Sequence, residues 1–237
     1  MRVTLGRRAV AEGLGSALLL AAVVGSGIMA ERLSPGSEAV ALLANTIATG
    51  AALVALILTF GPVSGAHFNP AVTVAAASQG DFGWRDGAAY IAAQIGGAIA
   101  GVWIAHAMFQ EPVIMLSVRP RSGPAQWLSE FVAAFGLLSV IWGCSRRRPT
   151  AVPFAVGAYI TAAYWFTAST SFANPAVTVA RALSDTFAGI RPADVPGFVA
   201  AQISGAIVAT VLFRWLVPSL PDTASRGVVP PSADPIV

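Results

Sequence analysis

The segment Asn69-Pro70-Ala71-Val72-Thr73-Val74-Ala75 returns letter for letter as Asn174-Pro175-Ala176-Val177-Thr178-Val179-Ala180. Each copy is written as a helix start. An Asn side-chain oxygen satisfies an orphan backbone N–H, and Pro at the first helical position has no N–H to leave unpaired. The small and apolar residues that follow support only about two or three turns. One copy would be an ordinary capped helix. Two identical copies in a chain that is 56% hydrophobic and 11% charged point to two short helices brought together by the rest of the fold. With a mean hydropathy of +0.71, the chain is suited to a bilayer rather than to water.

Six segments are long enough to span, at roughly 9–30, 39–63, 87–109, 126–143, 151–168 and 195–217. Each is near the ~20 residues that a hydrocarbon core of ~30 Å requires. The two Asn-Pro-Ala segments fall between spans two and three and between spans five and six. Being too short to cross, they read as re-entrant half-helices buried in protein. The expected fold class is an all-α membrane protein.

Further repetition orders the chain. Ala92-Ala93-Gln94-Ile95-Gly96-Gly97-Ala98-Ile99 matches Ala200-Ala201-Gln202-Ile203-Ser204-Gly205-Ala206-Ile207 at seven of eight positions. Glu12 and the residues after it have a looser partner in Glu130. Three correspondences in one order define a duplicated unit, repeat one at about 8–110 and repeat two at about 126–217, within one domain over 1–217. Each unit carries three spans, an odd number, so the second copy enters the membrane from the opposite side. That is an inverted repeat whose half-helices approach the midplane from opposite faces.

All fourteen basic residues are Arg. Nine fall on one side (Arg2, Arg7, Arg8, Arg85, Arg146, Arg147, Arg148, Arg214 and Arg226), four on the other (Arg32, Arg119, Arg121 and Arg191), and Arg181 lies on the second half-helix. The positive-inside rule then puts both termini in the cytoplasm. Arg146-Arg147-Arg148 reads as a helix-end stop signal. An N-terminal cleaved signal is disfavoured, because Glu12 interrupts the apolar run and cleavage would remove one member of a repeated pair. The tail over 218–237, rich in Pro, Ser and Asp, is expected to be disordered. The Arg residues form no aromatic-interleaved patch for nucleic acid. One Cys, Cys144, excludes an internal disulfide and reads as a packing residue. No metal or cofactor site, phosphate loop or catalytic constellation stands out, so no enzyme is expected.

Glu12 and Glu130 lie within apolar spans and would be costly facing lipid. A proton relay would use them singly; their repeat relationship favours structural carboxylates that accept hydrogen bonds from half-helix loops. Gln94 and Gln202 are read alike. Two half-helix N-termini meeting at the midplane concentrate roughly half a positive charge each, a field that opposes cations. Asn69 and Asn174 then offer NH₂ donors to a permeating hydroxyl or water. His106 reads as structural.

The run Ser64-Gly65-Ala66-His67-Phe68-Asn69-Pro70-Ala71-Val72-Thr73, the second Asn-Pro-Ala and the Ala-Glu near the start resemble the major intrinsic proteins, the aquaporin and aquaglyceroporin family, over about 8–217. The resemblance implies a right-handed bundle of six transmembrane helices plus two half-helices, a passive channel for small neutral solutes, and a homotetramer in which each protomer holds its own pore. It also implies a multi-pass protein of the bacterial inner membrane, with His67, two residues before Asn69, lining the lumen of the cytoplasmic arm; a packed loop histidine is the other reading.

The family commonly places Arg three residues after the second Asn; this chain has Val177 there. The other filter positions carried over by spacing are Thr49, Ala162 and Ser171. Water-selective members carry bulky Phe and His where this chain has Thr49 and Ala162. The expected filter is therefore wide, weakly polar and uncharged. Arg181, one turn beyond Val177, reads either as a guard of the outer mouth or as a side chain that snorkels to the surface, and snorkelling is the expectation. The missing Arg and the stretch from Ala180 to Ile190 resemble a bacterial branch linked to arsenic-resistance operons, which implies polyols, arsenous acid or methylated arsenicals as cargo. An ion- or proton-coupled secondary transporter also uses an inverted repeat. It is the alternative, and it lacks an evident coupling site. An adhesion relative of the channels would need longer or more aromatic loops.

Overall fold

A computed structural model describes residues 3–216 of the chain; the expected disordered tail lies outside the described residues. Eight α-helices form among those residues: α1 (Leu5–Leu33), α2 (Glu38–Ser64), α3 (Pro70–Gln79), α4 (Trp84–Phe109), α5 (Pro124–Arg147), α6 (Val152–Phe166), α7 (Pro175–Arg181) and α8 (Val195–Leu216). The half-helices are α3 and α7, with ten and seven residues. Four of the six spans, α1, α2, α4 and α5, are longer than the apolar runs that announced them, because polar end turns extend each helix beyond the hydrocarbon. α6 is the short one at fifteen residues, preceded by a 3₁₀ turn at Pro149–Ala151.

The elements repeat in order, α1–α4 against α5–α8. Within each repeat the first helix packs along the fourth, α1 on α4 and α5 on α8, and α2 meets α6 where the repeats join. The close pairs depend on repeat-related glycines. A Cβ on Gly97 would collide with the Gly13 carbonyl of α1, and one on Gly205 with the Phe131 carbonyl of α5. With lipid on the outside there is little hydrophobic gain in pairing helices, so close backbone approach and dispersion must hold them.

α2 ends at Gly65, whose φ of 90° turns the chain back into the protein before Asn69 starts α3. α3 ends likewise at Gly80, with φ of 86°. Polar contacts tie the helices together at the two ends of the bundle. Arg8 pairs with Asp86 at 2.6 Å, and Arg214 reaches Gln79, at one end. Arg32 pairs with Glu111 and Arg119 with Glu31, each at 2.8 Å, at the other.

Candidate functional site

The two half-helices meet N-terminus to N-terminus in the protein interior. Asn69 caps α3 by accepting from the Ala71 N–H at 2.9 Å, and Asn174 caps α7 by accepting from the Ala176 and Val177 N–H groups at 2.9 and 3.3 Å. Pro70 and Pro175 take the first helical positions, and Ala71 and Ala176 pack tightly behind them. Each Asn amide also donates across the interface: Asn69 Nδ2 to the Ala173 carbonyl and Asn174 Nδ2 to the Phe68 carbonyl, both 2.8 Å. An NH₂ group carries two hydrogens, so one from each Asn remains for the lumen.

The loops leading into the half-helices are irregular. Ala66 and Phe68 in the first, and Ser171 and Ala173 in the second, have φ between 48° and 50°, a region L-residues rarely occupy. Backbone N–H groups there cannot pair within a helix, and the two buried glutamates accept from them. Glu12 takes the His67 N–H at 3.0 Å and the Phe68 N–H at 2.7 Å, with Ser64 Oγ at 2.6 Å and Gln94 Nε2 at 2.8 Å. Glu130 takes the Phe172 and Ala173 N–H groups at 2.9 Å each, with Gln202 Nε2 at 2.6 Å. Gln94 and Gln202 also donate to Thr73 and Thr178 inside the half-helices. Each of these donors belongs to the protein scaffold.

A cavity of about 60 Å³, room for a few waters, runs between the half-helices and the helices around them. Its walls follow the repeat: Leu19 and Val23 of α1 face Leu137 and Ile141 of α5, and Val72 of α3 corresponds to Val177 of α7. Both Asn residues, Thr49, Ser171, Val177 and His67 line it. His67 satisfies both of its readings at once. It borders the cavity, and it is also packed, with Nδ1 3.1 Å from Thr73 Oγ1 and its ring against Phe82 and Tyr90. Its repeat counterpart is Phe172, packed edge-on against Phe198. His106 is tied to Ser184 Oγ at 2.9 Å and to the Val113 carbonyl. Cys144 packs partly buried beside the core.

Two expectations need correction. Ala162 is exposed on the outside of α6 and does not reach the cavity. On that helix Val156, Ile160 and Tyr164 face inward at four-residue steps, and Ala162 lies about 200° round from Ile160. The residue in its place is Tyr164, whose hydroxyl sits 3.3 Å from Thr49 Oγ1. Matching Gly50 with Gly157 across the repeats would have paired Ile57 with Tyr164 and disclosed this face. Arg181 does not snorkel. It is 1% exposed, lines the cavity and hydrogen-bonds through Nε to the Ala188 carbonyl. The chain after α7 folds back over it, closing the route to the surface. The outer half of the cavity is thus neither uncharged nor free of bulk; Tyr164 and Phe172 were missed there, and Arg181 takes the less favoured of its two readings.

Comparison with known proteins agrees with this architecture. The family model described as "Major intrinsic protein" matches residues 1–171 and 145–233. Aquaglyceroporin AqpS of Rhizobium meliloti (strain 1021) is 60% identical over 212 residues, covering 90% of this chain and 91% of that protein. Aquaporin NIP2-2 of Zea mays is 30% identical over 228 residues, covering 92% of this chain and 76% of the relative. The X-ray structure of the aquaglyceroporin from Plasmodium falciparum superposes with a TM-score of 0.73 at 18% identity, over 92% of this chain and 99% of that one.

Proposed function

Because the chain belongs to the major intrinsic protein family, we propose that it is a passive membrane channel for small uncharged solutes. The observation that carries this reading is the crosswise meeting of two Asn-capped helix N-termini inside the bundle. Their dipoles disfavour cations at the midplane, and the free amide hydrogens present paired donors to a solute oxygen. The carboxylates of Glu12 and Glu130 are held by backbone donors, which supports passive passage over proton coupling.

The solute class follows from the lining. The walls are largely apolar, with polar atoms gathered at the Asn pair and around Thr49, Tyr164 and Ser171. Such a path suits glycerol-like polyols and undissociated metalloid acids such as arsenous acid, with water. Each has hydroxyl groups to follow the polar line and no net charge to repel. The unit of function is a single domain over 1–217, assembled as a homotetramer in a bacterial inner membrane with both termini cytoplasmic. The exposed apolar residues of α1 and α2, Leu14, Leu18, Leu43 and Ile47 among them, suit contact with lipid or a neighbouring protomer.

Stopped-flow light scattering on proteoliposomes tests the reading. Glycerol influx should rise linearly with concentration and be indifferent to collapse of a proton gradient. Saturable uptake that disappears with the gradient would overturn it in favour of a coupled transporter.

A further inference from the structure

Among the described residues Arg181 is the largest side chain buried beyond 98%. Among the described residues no carboxylate forms an ion pair with it or with nearby Arg121. A buried cation without a counter-charge is costly enough to call for a use. Where its charge resides differs from where its Cα resides. The Cα lies one turn beyond Val177, about 6 Å along α7. Side chains on a helix lean toward its N-terminus, and the guanidinium carbon lies 3.4 Å from the centre of the Phe172 ring. Phe172 is the residue after Ser171 and two before Asn174, so the charge is carried back to the level of the outer filter.

Two polar atoms at that level have no partner within the protein, Arg181 Nη1 and Ser171 Oγ. Both residues line the same cavity as Thr49, Tyr164 and Val177. Behind them Arg121 is fixed by the carbonyls of Gly189 at 2.8 Å and Ser169 at 3.2 Å, with its guanidinium 5.2 Å from the same Phe172 ring.

We propose that Arg181, reaching back one turn from α7, is the specificity-determining cation of the outer constriction, repelling cations and donating to the oxygen atoms of neutral solutes. Phe172 holds the guanidinium plane through its π face, and Arg121 fixes the loop that carries it. Ser171 is the second polar group that meets the solute. This assignment rests on the channel reading above.

The test uses the full chain in proteoliposomes and reads glycerol influx and sodium conductance separately. Arg181→Gln keeps amide donors and removes the charge. Its sodium conductance should rise about tenfold or more, since a unit charge a few Å away amounts to at least that at an effective dielectric near 20. Arg181→Lys should restore the wild-type barrier while altering the ratio of glycerol to water flux. Arg181→His makes the charge titratable, so sodium conductance should be high at pH 8 and should fall toward wild type only if the imidazole is protonated at pH 5.5. A merely structural role would move none of these readouts. Inserted Gln and His variants that keep wild-type sodium exclusion at both pH values overturn the proposal. If neither inserts, Phe172→Leu decides by the same two assays: added sodium conductance supports the assignment and its absence overturns it. A wild-type protein that conducts no glycerol would instead sink the channel reading, whatever the variants do to sodium.

Discussion

Asn69 and Asn174 are tied crosswise, each donating 2.8 Å from its amide to the carbonyl immediately before the other, Ala173 and Phe68. The two caps are therefore a single structure. Each Asn oxygen holds its own half-helix, and each Asn nitrogen holds the opposite loop. The pair fixes the distance between two helix N-termini whose positive ends would otherwise drive them apart.

Replacing either Asn by Asp tests this arrangement. The new carboxylate still accepts from the helix N–H groups but cannot donate, so the Ala173 or Phe68 carbonyl loses its partner at a cost of roughly 1–3 kcal/mol. The variant also places negative charge among the helix ends. Lower thermal stability and a new cation current under voltage clamp are expected. A folded, glycerol-conducting Asn174→Asp without added cation current would show that the midplane field does not exclude cations.

Glu12→Gln and Glu130→Gln should each destabilise the protein by about 3 kcal/mol, since a carboxylate accepting several donors is replaced by an amide that turns an NH₂ toward them. The loss should appear in folding yield and melting temperature in detergent. Glycerol flux by the fraction that folds should remain passive. A variant that loses a proton-driven component of uptake would identify its glutamate as a coupling group.

The wall opposite Val177 separates three variants. Tyr164→Ala removes the phenol beside Thr49 and should raise glycerol flux relative to water several-fold, because pore diameter and lining donors set what passes. Ala162→His should leave that ratio unchanged, since the side chain points out of α6. Val177→Arg adds a second guanidinium beside that of Arg181 and should lower glycerol flux much more than water flux. Stopped-flow comparison of osmotic water movement with solute influx reads all three. An unchanged ratio in Val177→Arg would remove Val177 from the constriction.

Asp81, in the turn after α3, gives a pH dependence. Burial pushes its carboxyl up to about 7, and its Oδ1 has no hydrogen-bond partner. With the folded value above the unfolded one, the folded state holds the extra proton. Stability therefore falls as pH rises from about 4 to about 7 and is level above that window. Asp81→Asn should melt higher than wild type at pH 8 and equally at pH 4. Thermal melts across that range check the sign, and a larger benefit of Asn at pH 4 would refute it.

The sequence by itself determined the elements that depend on local chemistry. Asn-Pro marks α3 and α7 because a cap and a fixed φ act within one turn. The long spans are written in hydropathy because a bilayer accepts only backbone satisfied within each helix. Inversion followed from the odd number of spans per repeat. The partners of Glu12 and Glu130 were also legible as a class, because a buried carboxylate beside an unpaired loop has few other uses.

Tertiary structure decided which side of a helix meets the lumen and where a long side chain ends. Counting residues placed Ala162 in the filter, but α6 is rotated so that Ala162 is exposed and Tyr164 lines the cavity. Position alone sent Arg181 to the surface, yet residues after α7 close over it and Phe172 receives its guanidinium. Both outcomes depend on packing between segments distant in the chain, and on rotation of a helix about its own axis. A run of uniformly apolar residues such as α6 carries no polar stripe to record that rotation, so contact with the other repeat alone sets it.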